Sequence, residues 1–143
     1  RHKSTDIRGA ATELFFLPVE TRVPLKFGPE TLTHVTCARA RLTVQLADGR
    51  TANGWGETPL SVQWVWPSAL PYEPRHQALK NFCIRLTKAW AAFDAPGHSL
   101  ELGHDFQQNE LPKLLDMLVA HARQIVTAGI QNLLRHFTAA QGK

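Results

Sequence analysis

Few features of this chain announce a chemistry. Only two cysteines occur in 143 residues, Cys37 and Cys83, and no short spacing pairs them. That argues against a disulfide framework and reads as reduced thiols in a cytoplasmic protein. No apolar run approaches the roughly 18 residues of a membrane span, so no membrane partner is expected. The start, "RHKSTDIRGAATELFF", is basic but has no apolar core of the kind a secretory signal needs. Repeats and low-complexity tracts are missing. So are a glycine-rich phosphate loop and a G-x-S-x-G elbow, which removes the sequence basis for P-loop phosphoryl transfer and elbow-type acyl transfer.

Charge is modest. The formal net charge is +4 and the isoelectric point about 9.4, a weak preference for anionic partners. The bases are scattered, with only "RAR" at 39–41 and "RHK" at the start close together. A nucleic-acid interface shows a stripe or a patch, so nucleic acid is not an expected partner. The length suits one domain, and 43% apolar with 20% charged residues is an ordinary globular composition.

Hydrophobic periodicity supplies the architecture. Residues 1–11 are polar and are expected to form a loose end. "TELFFLPVETRV" from Thr12 to Val23 is rich in strand formers, with Pro18 marking an edge or bulge. "PLKFGPET" follows as a loop. "THVTCARARLTVQLA" alternates: Ala38, Ala40, Leu42, Val44 and Leu46 share one face, while Cys37, Arg39, Arg41, Thr43 and Gln45 share a solvated one. Asp48-Gly49 then predicts a two-residue type I′ hairpin leading into "RTANGWGE". After a segment at 58–73 the period changes to helical. From Arg75 to Phe93, Leu79, Phe82, Cys83, Leu86, Trp90 and Phe93 fall on one stripe, with Pro74 in the first turn. "DAPGHSLELGHD" reads as a loop. A further helix, capped by Asn109, repeats the spacing through Leu111, Leu114, Leu118 and Ile125, and Gly129 is expected to break or kink it before Ile130 to Phe137. Strands followed by helices predict an α+β fold: a three-stranded antiparallel meander (12–57), a connecting segment (58–73) and about three helices (74–137) packed on one face.

The order of these elements, with "VETRVPLKFGPETLTHVTCARARLTVQLADG" closing on Gly-Trp-Gly-Glu, resembles the N-terminal capping domain of the enolase superfamily. The mandelate racemase and muconate lactonizing enzyme branch is the nearer likeness, and it covers roughly residues 12–118. The resemblance implies a cap that closes a separate (β/α) barrel and confers substrate specificity through two loops, here Pro24 to Thr33 and Thr58 to about Leu70. The intact enzyme would be a racemase, epimerase, cycloisomerase or dehydratase. Its barrel would hold Mg²⁺ and abstract a proton beside a carboxylate. This chain leaves no room for the barrel, which takes about 200 residues or more, and has no Lys-X-Lys motif. No catalytic or metal residue therefore transfers to it. It would be an excised cap or a truncated relative, inactive alone. The alternative is a stand-alone binding module that forms a homo-oligomer through the uncovered apolar surface.

The resemblance makes Lys26 and Phe27 candidate substrate contacts, a cation for a carboxylate and an apolar wall. An exposed lysine and a core-edge phenylalanine are the plainer reading. Glu57 could orient a loop or pair with the barrel, or could simply end a strand in solvent. Trp64 and Trp66, separated by Val65, would point the same way in an extended segment. They could face a substrate, pack on helices or barrel, or offer a stacking platform for a sugar. Trp55, between two glycines on a strand, is read as core. His98, Glu101, His104 and Asp105 are the right residue types for zinc, but their spacing matches no ligand pattern, and no metal site is assigned.

Overall fold

The computed structural model describes residues 3–28 and 30–141, with the side chains of all of these except 27, 132–134 and 136–141. Three strands come first: β1 (Ile7–Phe27), β2 (Glu30–Leu46) and β3 (Thr51–Pro59). They form an antiparallel sheet in the order β1-β2-β3. Four helices follow: α1 (Val62–Val65), α2 (Tyr72–Ala92), α3 (Ser99–Asn109) and α4 (Leu111–Gln141). The fold is α+β, as the switch of hydrophobic period predicts.

The alternation in β2 sets the layers. Its even positions face the helices. Ala38 joins Leu60, Val62 and Leu79 in the core, with Leu14, Phe16, Tyr72 and Cys83 packed around them. Val62 is 0% exposed. The odd positions face outward but are less solvated than the pattern suggests. Cys37 is buried there and Arg41 and Thr43 are half-buried, because Glu13, Leu17 and other neighbours on the flanking strands close over them. α2 rests mainly on β1, and α4 packs on α2 and α3.

Several expectations are corrected. Residues 7–11 are not a loose end: Ile7 pairs with Leu46 on one side and bridges Gly97 on the other, through N–H to carbonyl bonds of 2.9 and 3.0 Å. The expected loop from Pro24 to Thr33 is a hairpin arm, with Leu25, Lys26 and Phe27 opposite Leu32, Thr31 and Glu30. Gly28, at φ 54°, turns the chain between them. Thr21 to Pro24 bulge out of the ladder opposite a single residue of β2. The Thr21 hydroxyl ties the bulge down by donating to the Thr33 carbonyl at 3.1 Å.

The second hairpin is not type I′. Only Gly49 takes a positive φ, 86°. Its N–H donates to the Leu46 carbonyl, and the Leu46 N–H donates to Arg50. This is a type I turn with a glycine bulge, which needs a left-handed residue at one position rather than two. Asp48 completes it by accepting from the Arg50 N–H and Nε.

The stretch read as a loop, Asp94 to Asp105, contains the start of helix α3, which runs from Ser99 to Asn109. His98 caps it, accepting from the Leu100 N–H at 3.3 Å, while Glu101 reaches back to the His98 N–H. Asn109 ends α3 instead of capping α4, and its side chain donates to the Asp105 carbonyl. Gly129 does not break α4, which runs on to Gln141. A Cβ at Gly129 would lie 3.2 Å from a Leu70 methyl. Close approach of the connecting segment is thus the use of that glycine, against a cost of about 1 kcal/mol in helix propensity.

Candidate functional site

The hairpin arm and the segment between β3 and α2 meet at one end of the sheet, and a buried arginine joins them. Arg75, in the first turn of α2, is 2% exposed. Its Nη1 donates to the Trp66 carbonyl at 2.7 Å and its Nε to the Pro71 carbonyl at 3.2 Å. The third nitrogen, Nη2, lies 3.8 Å from a Glu30 carboxylate oxygen at the base of the arm's turn. Next to it, His76 contacts the Thr36 hydroxyl at 3.0 Å and stacks on Tyr72. Guanidinium geometry explains the choice of residue: a planar fork can serve two carbonyls and a carboxylate at once, which an ammonium cannot do in one plane. Sequence reasoning missed Arg75. Its signal, a basic residue in the first helical turn where the macrodipole opposes it, was legible only in hindsight.

The predicted site residues are partly gathered here. Lys26 is exposed on the arm, paired in register with Thr31. Phe27 pairs with Glu30 through the backbone, and its side chain lies outside the described residues. Trp64 sits in helix α1 and Trp66 caps that helix, so the extended alternation expected of them does not occur. Trp64 is 74% exposed and Trp66 half-buried. Glu57 is not brought to this end. It lies on the outer sheet face opposite Arg39, and its carboxylate accepts from Arg39 Nε at 2.6 Å. The nine residues from Glu30 to Arg39 put about 30 Å of strand between Glu57 and the arm's turn.

Trp55 is not core. It is 59% exposed on the outer face, with its ring 6.2 Å from that of Phe15 and the Arg41 guanidinium 5.6 Å away over its face. Arg41 also pairs with Glu13. The two arginines of "RAR" are thus both held by carboxylates, and the densest basic cluster of the described chain is neutralised in the fold.

On the other side of β3, Gly54 and Gly56 have open space where a Cβ would stand. They floor a cleft of about 380 Å³ walled by Leu42, Leu86 and Trp90. Among the described residues no three His, Cys, Asp or Glu side chains are grouped to hold a metal. His98 and Glu101, singled out for zinc by type, are engaged in the α3 cap. No helix among the described residues is long and apolar enough to cross a membrane.

Three acidic groups have their pKa raised. For Cys37 the causes are burial and then the Glu57 carboxylate; for Cys83 burial alone; for Tyr72 burial and then Glu73. The folded chain therefore holds these protons more tightly than the unfolded chain. Their stabilisation is complete below the ordinary values, 9.0 for the thiols and 10.0 for the phenol, and is lost as pH rises from there through the raised folded values. The urea midpoint is expected to be lower at pH ~10.5 than at pH ~8, and equal midpoints would refute the linkage. At pH ~8, iodoacetamide is expected to label Cys37 at least about tenfold more slowly in the folded chain than in urea.

No family model, no curated protein and no solved structure matches this chain.

Proposed function

We propose that the chain is a non-catalytic capping module of a metal-dependent enolase-type enzyme. In this reading it closes a (β/α) barrel carried elsewhere and offers a cation and an aromatic-bearing segment to a carboxylate substrate. The observation that carries the reading is Arg75: one buried guanidinium fixes the segment bearing Trp64 and Trp66 through two carbonyls and lies 3.8 Å from Glu30 at the base of the arm bearing Lys26. Two stretches distant in sequence thereby come to one end of the sheet. Mg²⁺ and the acid-base residues belong to the barrel in this reading. The intact enzyme would be a racemase, epimerase, cycloisomerase or dehydratase in the cytoplasm, a setting in keeping with two free cysteines.

The test is deuterium uptake beside the carboxylate, in D₂O, by the full-length gene product. Acid sugars, dipeptides and cycloisomerase substrates are supplied with Mg²⁺ or with a chelator. Magnesium-dependent exchange is expected. Lys26→Ala should raise KM by about tenfold with a smaller change in kcat, as loss of one substrate ion pair would. A gene product without a barrel, or one with no magnesium-dependent exchange on any member of the panel, sinks the proposal.

A second reading, a stand-alone homo-oligomeric binding module, draws on a different observation. Leu115, Val119, Val126 and Ile130 make an exposed apolar stripe along α4 beside the face that packs on α2 and α3. Such a stripe is unusual for a surface that meets only water.

A further inference from the structure

We infer that the free edge of β3 pairs with β3 of a second copy, antiparallel, about a two-fold axis at Trp55. The inference goes beyond both readings above and holds under either.

The sheet has two edges, and they are treated differently. β1 is guarded: its register breaks at Gly9/Ala11 and again between Glu20 and Leu25, and it carries Pro18 and Pro24. Bulges and prolines of this kind block edge-to-edge pairing. β3 has no bulge, and its single proline, Pro59, stands at its last position. Its register to β2 is unbroken from Thr51 to Pro59, all nine residues are exposed, and no lysine or arginine lies in it.

Both ends of the β2–β3 ladder fix which backbone groups are free. The Leu46 N–H donates to Arg50, and the Leu60 N–H donates to Thr36. In an unbroken antiparallel ladder the bonded residues alternate. Even-numbered residues of β3 therefore bond to β2, and the N–H and C=O of Thr51, Asn53, Trp55 and Glu57 point away from it.

Self-pairing at Trp55 is complementary on both faces. On the outer face Trp55 meets Trp55 of the second copy, covering indole surface that is 59% exposed in one chain. Asn53 falls opposite Glu57. The Asn53 carbonyl oxygen already accepts from Thr43, so its amide remains to donate to that carboxylate. No like charges oppose one another. On the inner face Gly54 falls opposite Gly56, so no side chain obstructs the approach, and the two glycine-floored clefts join into one groove across the axis.

The experiment uses the chain as it stands. Sedimentation velocity across a concentration series is read beside amide hydrogen exchange by NMR. At concentrations where a dimer forms, the amides of Asn53, Trp55 and Glu57 should be protected at least about a hundredfold, and on dilution only the even-numbered amides of β3 should stay protected. Asn53→Pro removes an outward N–H without touching the β2 ladder and should raise the dimer dissociation constant at least about tenfold. A monomer at all concentrations overturns the inference. So does a dimer whose odd-numbered β3 amides exchange freely, which would place the contact elsewhere, on the α4 stripe for example. Should the proline variant fold poorly, the exchange pattern of the unaltered chain still decides.

Discussion

Replacing Arg75 by alanine is expected to cost about 3 kcal/mol of folding stability, read as a lower urea midpoint at unchanged slope. Two carbonyls, of Trp66 and Pro71, lose a charged donor, and a hydrogen bond to a charged group contributes about 1.5–3 kcal/mol. The Glu30 contact adds little, since that carboxylate is 3.8 Å away and 40% exposed. Glu30→Gln should therefore change stability by less than about 0.5 kcal/mol. Arg75→Lys should recover less than half of the alanine loss, because one ammonium cannot replace the fork. The fluorescence of the tryptophans at 64 and 66 should also shift in the alanine variant before global unfolding, as the segment loosens from α2. An alanine variant within about 0.5 kcal/mol of the original would show that water replaces the guanidinium at no cost, and the coupling of the segment to α2 would not run through it.

Such coupling lies beyond what alternation and periodicity can reveal. The sequence pattern specified the sheet and the longest helices because each rests on a local repeat: even positions of β2, and the i, i+3, i+4 stripe of α2. It failed where the determinant is a single polar contact. α3 has only Leu102 and Phe106 buried, and its start is set by a histidine acting as a cap, a role more often taken by Ser, Thr, Asp or Asn. The arm reads as a loop because prolines and a glycine dominate its composition, yet backbone pairing resumes past the bulge.

Trp55 departs from the sequence expectation for a different reason. A tryptophan between glycines on a strand looks like a core anchor, but burial depends on which parity faces the helices, and position 55 shares the parity of Arg39 and Arg41. A two-residue Asp48-Gly49 turn would pair Ala47 with Arg50 and so Leu42 with Trp55, on the inner parity; the glycine bulge adds one residue, shifts the register to Arg41 opposite Trp55 and turns the indole outward. The glycines at 54 and 56 carry the inner parity instead, which is why a cleft lies where a strand would ordinarily present side chains to a helix. Of the candidate site, Lys26, Trp64 and Trp66 share one end of the molecule while Glu57 lies far along the strand. Chain order alone could not separate them, because the distance follows from how far β2 extends beyond the β3 pairing.

Phe106→Ala is expected to be the most destabilising single change, at about 4 kcal/mol, or roughly 12 °C in Tm for a chain of this size. Phe106 is 2% exposed. Its ring stacks on Trp90 at 4.0 Å and 10°, and meets Phe93 edge-on at 5.4 Å and 88°, while Trp90 and Phe93 are themselves edge-on. Truncation empties the centre of this three-ring cluster, adding the loss of aromatic geometry to that of buried area. The cluster is also the apolar link between the end of α2 and α3, which is otherwise held by buried Leu102, by its packing on α4 and by two surface contacts, the Lys3–Glu101 pair at 3.6 Å and the His98 cap. Loss should therefore be uneven, with α3 amides exchanging faster than those of β2 in the variant. Phe106→Leu should cost about 1.5 kcal/mol, since volume is largely kept. Leu100→Ala, on the same helix but exposed, should stay within about 0.5 kcal/mol. A Phe106→Ala variant that loses less than about 1.5 kcal/mol would mean that Trp90 and Phe93 collapse into the vacated space. The cleft beside Trp90 would then enlarge, because the same indole cannot both fill the α3 interface and wall the glycine floor of β3.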